Sequence, residues 1–284
     1  MDKEQQAEFL LESMSYIKKY RDKILVIKYG GNAMLGDEHK LSVMQDLSIL
    51  RFVGIKVVLV HGGGPEISQT LNRMGIQSKF VRGLRYTDEE TAEVVRMVLA
   101  GKVNKGLVHM LGAFGVKAVG LCGMDGNMMR CEKESEELGF VGKITNVNPE
   151  IILDCLDKGY LPVISTVGYD ETGNIYNVNA DTAASAIAGA LKAESLILMT
   201  DTKGLLQDMN DENSLLHKVY VSDISSLIKD GIISGGMIPK VDCCKEAIRK
   251  GVGRVFITDG RVKHSILLEL LSDKGLGTMF VKGD

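Results

Sequence analysis

What most constrains the fold of this chain is an alternation. Short apolar runs rich in β-branched residues, at 24–28, 56–60, 116–121, 162–165, 195–199, 254–258 and 278–281, are separated by longer stretches of helical periodicity. A strand buried on both faces reads as a continuous apolar run, and parallel neighbours need a crossover helix between them. The alternation therefore predicts an α/β fold, a parallel sheet covered by helices on both faces. The helices are expected over residues 38–52, 65–74, 87–111, 149–158, 181–191, 222–229, 236–250 and 263–271. Two stretches break the rhythm. Residues 127–148 and 168–178, the second with a turn at 170–173, read as β-hairpins or a lid at one end of the sheet.

With 284 residues, 45% hydrophobic and 25% charged, the chain has the composition of a globular protein rather than a disordered one. A formal charge of −3 gives no reason to expect a nucleic-acid partner. The first 23 residues are charged and amphipathic without the apolar core of a secretory signal, and no run approaches the roughly 20 apolar residues of a membrane span. A cytoplasmic chain with no membrane association is the expectation. The five cysteines, Cys122, Cys131, Cys155, Cys243 and Cys244, form no CxxC or Cys/His array, so reduced thiols and no structural metal are expected. No long linker or solenoid repeat divides the chain. One continuous body is expected, with a functional division near Ala193. Residues 23–193 would hold one substrate and 194–284 the other, because ligands of open α/β sheets sit at the carboxyl ends of strands.

The glycine-rich turns carry the chemistry. Lys28-Tyr29-Gly30-Gly31 places a lysine and two glycines at a strand end, and His61-Gly62-Gly63-Gly64-Pro65 leads a second strand into a helix. Glycines there let backbone N–H groups approach an anion, to which a helix N-terminus and a lysine add positive charge. Each could alternatively be a plain tight turn. Neither fits GxxxxGK[ST], and no GxGxxG follows a strand, so P-loop ATPase and Rossmann dehydrogenase readings lose their support. Arg85, just before a helix that Thr87 or Asp88 can cap, offers a planar fork suited to a carboxylate or a surface ion pair. Asp181, in NVNADTAA, reads either as a helix cap or as a buried carboxylate that orients lysines, with Asn177 offering an amide to a substrate. Thr200-Asp201 ends another strand. Gly235-Gly236 opens a helix that carries Lys240, either surface charge or a second catalytic cation.

Taken in order, KYGGNA, VHGGGPEI, GLRYTD, NVNADTAA, LMTDTKGLL and GGMIPKV closely resemble the amino acid kinase superfamily, and within it the branch that phosphorylates N-acetylglutamate. The resemblance runs from about Tyr16 to Phe280. It implies a three-layer αβα sandwich around a mainly parallel sheet of about eight strands, ATP with Mg²⁺ as cofactor, and a place in arginine biosynthesis. By the same resemblance Lys28 and Lys240 neutralise the transferring phosphoryl group, Asp181 orients both, and the amides of Gly31 and Gly63 touch phosphate. Gly63, Gly64, Arg85 and Asn177 would hold N-acetyl-L-glutamate. Asp201, Thr202, Lys203, Gly204, Leu205, Leu206, Ile232, Ile233 and Ser234 would border the nucleotide, together with Lys28 and Lys240. The chemistry agrees independently: a γ-carboxylate with a pKa near ~4.3 is already ionised at neutral pH, so the reaction needs no general base. The product would be an acyl phosphate. Aspartate or glutamate kinase activity and a non-catalytic amino-acid-binding regulator are the alternatives.

Residues 1–22 precede the first strand, and Leu10, Met14 and Ile17 recur there at helical spacing, a stripe that needs a partner. The stretch resembles the arginine-inhibited branch of the family, where such helices interlace dimers into a hexamer, a trimer of dimers. That likeness implies an arginine effector held by Tyr16, Glu269 and Gly275. Phe256 departs from it, standing where those enzymes carry a histidine.

Overall fold

The computed structural model describes residues 3–34, 36–211, 213–272 and 275–283, apart from the side chains of residues 3–7, 9, 10, 32 and 33. The strands are β1 (Ile24–Tyr29), β2 (Lys56–His61), β3 (Phe80–Val81), β4 (Leu84–Arg85), β5 (Ala118–Cys122), β6 (Met129–Lys133) and β7 (Gly142–Val147), then β8 (Leu161–Ser165), β9 (Val167–Tyr169), β10 (Ile175–Asn177), β11 (Ser195–Thr200), β12 (Lys218–Tyr220), β13 (Arg254–Asp259) and β14 (Thr278–Val281). The α-helices are α1 (Lys3–Tyr20), α2 (Asp37–Phe52), α3 (Gly64–Arg73), α4 (Glu89–Arg96), α5 (Asn104–Ala113), α6 (Glu150–Asp157), α7 (Ala180–Ala190), α8 (Ile224–Lys229), α9 (Met237–Arg249) and α10 (Ser265–Leu270).

Eight strands form the main sheet in the order β12-β14-β13-β11-β1-β2-β8-β5. From β13 to β5 every pairing is parallel, while β14 runs antiparallel to β13. The alternation of side chains explains why these strands read as unbroken apolar runs. Leu25, Ile27, Val57, Leu59, Ile197 and Met199 enter one core, and Val26, Val58, Val60, Leu196 and Leu198 enter the other. The first core also takes residues of α2, α5 and α10, and the second takes α6, α7 and α9. Each fully buried Val, Leu or Ile contributes roughly 1.5–3 kcal/mol, so both faces of the sheet drive folding.

The expected hairpins pair into a separate four-stranded sheet, β10-β9-β6-β7, and β3 with β4 forms a two-stranded one. Two features differ from the sequence reading. The eighth main strand, β12, was not foreseen because it is a three-residue edge strand without an apolar run. The helix expected over 87–111 is α4 and α5 joined through a π-helical segment, Met97–Val103. Asp88, one of the two residues proposed as its cap, accepts a hydrogen bond from the Thr91 amide at 2.9 Å.

The N-terminal stripe is also distributed otherwise than expected. Tyr20 is buried, and Tyr16 and Ile17 pack on the chain's own core, while Leu11 and Met14 stand 73% and 59% exposed. The side chain of Leu10 lies outside the described ones. Among the described residues no helix is long and apolar enough to cross a membrane.

Candidate active site

The site begins with register. Parallel pairing sets Lys28 beside Val60 and Tyr29 beside His61, so both glycine turns leave the sheet side by side. The Gly62 amide donates to the Tyr29 carbonyl at 3.0 Å, and a Cβ on Gly30 would lie 3.3 Å from the Gly62 nitrogen. Backbone meets backbone here, which is why side chains are missing. Gly31 adopts φ +65°, in the left-handed region. A Cβ on Gly63 would come within 2.7 Å of Leu99 Cδ2 on the π-helical segment. Helix α3 starts at Gly64, one residue before the expected Pro65, and directs its N-terminus to the same place.

Across this turn stands Asp181 in the first turn of α7. The cap of that helix is Asn179, whose Oδ1 accepts from the amides of Asp181 and Thr182 at 2.9 and 3.1 Å. Asp181 is thereby released from the capping role that its position allowed, and its carboxylate takes two cations. Lys28 Nζ lies 2.8 Å from Oδ1 and Lys240 Nζ 2.9 Å from Oδ2. Burial pushes the Asp181 carboxyl up, but the two lysines overcome it and hold it below the usual carboxylate range. Lys28 comes from the centre of the sheet and Lys240 from the first turn of α9, so one carboxylate joins two elements more than 200 positions apart.

A cavity of about 310 Å³ opens beside this cluster, lined among others by Lys28, Gly63, Gly64, Arg85, Asn177 and Asp181. Arg85 is 8% exposed. Its guanidinium donates to Ser78 Oγ at 2.6 Å, Ser68 Oγ at 2.8 Å and the Gly64 carbonyl at 3.1 Å, and it stacks 4.8 Å from the Phe80 ring. These partners are neutral, so the fork is aimed while its charge stays available to an anion. Asn177 Nδ2 donates to Thr87 Oγ1 at 3.2 Å, and Thr87 Oγ1 donates to the Arg85 carbonyl at 2.9 Å. Ser68, Ser78 and Thr87 thus orient both predicted substrate residues. The sequence did not mark Ser68 or Ser78 and offered Thr87 only as a helix cap, because the contact of Thr87 with Asn177 spans 90 positions.

The residues proposed for the nucleotide lie elsewhere, after β11 and before α9. Leu205 and Ile233 are buried in the core, and the Leu205 amide donates to Thr278 Oγ1 at 2.8 Å. Asp201, Thr202, Ile232 and Leu206 are half-buried, and Lys203 and Ser234 are exposed. Gly204 has φ +137° and a Cβ there would collide with Thr278, so glycine is required. Among the described residues no group of three or more His, Cys, Asp or Glu is arranged to hold a metal ion. The donors that are present, lysines and backbone amides, suit phosphate oxygens.

Tyr16, Glu269 and Gly275 also come together, in a second cavity of about 490 Å³ that includes Lys19, Arg254 and Phe256. Glu269 Oε2 accepts from the amides of Leu276 and Gly277 at 2.9 and 2.8 Å. Burial nevertheless keeps its carboxyl above the usual range.

Residues 23–259 match the amino acid kinase family. An acetylglutamate kinase from Brachyspira hyodysenteriae is 54% identical over 275 residues, 96% of each chain, and one from Clostridioides difficile is 54% identical over 98% of each. Among solved structures, N-acetylglutamate synthase from Neisseria gonorrhoeae superposes with a TM-score of 0.84 at 23% identity, covering 98% of this chain and 64% of that one. Giardia carbamate kinase gives 0.67 at 18% identity, covering 92% and 99%. At such identities the two structures speak for the fold alone, which they share with this chain. With the ordered glycine turns, the two lysines on one aspartate and close relatives along nearly its whole length, the chain belongs to the amino acid kinase family, among the acetylglutamate kinases.

Proposed function

We propose that this protein transfers the γ-phosphoryl group of ATP to the γ-carboxylate of N-acetyl-L-glutamate, forming N-acetyl-L-glutamyl 5-phosphate in arginine biosynthesis. The observation that carries this reading is the Lys28–Asp181–Lys240 cluster at the edge of the cavity that also holds Arg85 and Asn177. Two cations against one carboxylate leave net positive charge where a phosphoryl group and an acceptor carboxylate, both anions, must meet. Arg85 would take the α-carboxylate and Asn177 would donate to the acetylated substrate, while the amides of Gly31 and Gly63 would receive phosphate. ATP would lie over residues 201–206 and 232–234, with Mg²⁺ on its phosphates. Residues 23–193 and 194–284 then serve as the acetylglutamate and nucleotide lobes.

Arginine is proposed as feedback inhibitor in the second cavity, which is supported by the meeting of Tyr16, Glu269 and Gly275 there. The exposed Leu11 and Met14 support the use of α1 in assembly, as a hexamer built from dimers. Five free cysteines fit a reducing cytoplasm. The test is direct: purified protein is incubated with MgATP and N-acetylglutamate, glutamate, aspartate or carbamate, and the acyl phosphate is trapped with hydroxylamine. Acetylglutamate should far outperform the rest, and equal turnover of glutamate would overturn the assignment.

A further inference from the structure

His61 is the last residue of β2 and immediately precedes the glycine turn, yet it is fully buried and does not line the cavity beside the Lys28–Asp181–Lys240 cluster. Its ring is held at both nitrogens. Asn104 Nδ2 lies 3.1 Å from Nε2, and Nδ1 lies 2.8 Å from the Gly62 carbonyl oxygen. The amide of Asn104 is itself oriented by the carbonyls of Val163, at 2.8 Å, and Leu121, at 3.3 Å. Because those oxygens only accept, the Asn104 nitrogen that faces them is a donor, and the ring nitrogen it meets must be an acceptor. The remaining ring proton therefore sits on Nδ1 and is donated to the Gly62 carbonyl.

The peptide that joins Gly62 to Gly63 is planar and trans, so its C=O and N–H point in opposite directions. Fixing the carbonyl against the buried imidazole fixes the Gly63 N–H on the other side. The same turn is braced from the π-helical segment, where Leu99 and Val103 lie against the position of the missing Gly63 Cβ. Asn104 follows that segment directly, and Gly120 leaves room for its side chain.

We infer that His61 and Asn104 are positioning residues: they lock the imidazole in its Nδ1–H tautomer and thereby aim the Gly63 amide at the transferring phosphoryl group. The inference rests on the kinase reading above. Burial pulls the His61 ring down to about 4, so it stays neutral and keeps this single arrangement at physiological pH. A histidine next to a phosphate loop would otherwise suggest acid–base chemistry. Here it acts on a peptide plane.

Two substitutions separate the ends of the ring. The amide of His61→Asn reaches the place of Nδ1 and can still donate to Gly62, whereas that of His61→Gln reaches the place of Nε2 and cannot. His61→Gln should lower kcat by about 10- to 100-fold, the scale of a misplaced catalytic group, with both KM values within about twofold. His61→Asn should recover most of that loss, and the thermal midpoints of the two variants should agree. Nitrogen-15 NMR of the wild-type protein should show an Nδ1–H imidazole that does not titrate between about pH 5.5 and 8.5. Equal behaviour of the two variants, an Nε2–H tautomer or a titration in that range would overturn the inference. Should wild-type protein form no acyl phosphate, the kinase reading falls first, and the NMR result then decides the His61–Asn104 arrangement alone.

Discussion

Asp181 and Glu269 are both carboxylates withdrawn from water, and their surroundings treat them in opposite ways. Asp181, with a side chain 14% exposed, is met by two lysines that come from different parts of the chain. Glu269, 7% exposed, is met through Oε2 by two uncharged amides in the segment that leads into β14. One carboxyl is held below its ordinary range and the other above it. A carboxylate already supplied with cations is a fixed component of its site, and what it leaves over is positive charge for an incoming anion. A buried carboxylate with no cation in direct contact stays incompletely compensated even with Lys19 and Arg254 in the same cavity, which is the condition a guanidinium ligand would relieve. On the proposed function, the difference separates the catalytic centre from the arginine pocket within one chain.

The largest effects should come from dismantling the first of these sites. Lys28→Ala and Lys240→Ala should each lower kcat by about 10²-fold or more, the scale of losing one preorganised charge-stabilising group. Near-normal turnover in either would return that lysine to a structural role and erase the contrast. At the second site, Glu269→Gln should raise the arginine concentration needed for half-inhibition by about tenfold or more, since a charge-assisted hydrogen bond becomes a neutral one. Inhibition that survives this change intact would remove Glu269 from the effector pocket. Arg85→Lys should act more selectively. A point charge cannot reproduce the planar fork, so KM for acetylglutamate should rise several-fold, about 1 kcal/mol of binding, while KM for ATP holds. A change confined to ATP would mean that Arg85 serves the other substrate.

The two carboxylates also predict an order of failure in acid. A lowered folded pKa means that the stabilisation from Asp181 is present above the ordinary carboxylate range and disappears only as pH falls through its own lower value. A raised folded pKa has the opposite sign: Glu269 takes up its proton at higher pH than a free glutamate, and the native state gains stability as it does. Arginine inhibition should therefore fade on acidification before turnover does. Parallel titrations of activity with and without arginine would show it, and simultaneous loss would contradict the assignment. The smallest effect on turnover is expected from the double substitution Leu11→Asp and Met14→Asp, on the exposed face of α1. Light scattering should report dimers in place of hexamers, with catalysis near normal. Removal of the whole helix is a poorer test, because Tyr20 belongs to the core of the chain and Tyr16 and Ile17 pack against it.

What the sequence disclosed follows from the range of each interaction. Strands such as Ile24–Tyr29 and Ser195–Thr200 announced themselves because both faces are buried, and burial leaves a continuous apolar run. The glycine turns were legible for a similar reason: close approach of backbone excludes side chains locally. Lys28, Asp181 and Lys240 could be gathered only by their likeness to a family, since their contacts join positions far apart. No local pattern could show that Asn179 rather than Asp181 caps α7, or that Asn104 would meet His61. The π-helical segment was hidden too, because its residues suit an ordinary helix and the contact of Leu99 and Val103 with the Gly63 turn joins positions far apart.

The central place of β1 has a further consequence, for the growing chain on the ribosome. Its partner on one side, β2, follows after a short 3-10 turn and one α-helix, but its partner on the other, β11, begins at Ser195. At translation speeds of ~5–20 residues per second, an edge of Leu25 to Lys28 stays unpaired for roughly 10–30 s after it is made. That edge is apolar, and an unpaired apolar edge is a template for association with other chains. The strand that carries Lys28 to Asp181 is thus also where synthesis is most exposed to misassembly, and slowing translation between β2 and β11 should increase aggregation more than slowing it after β11.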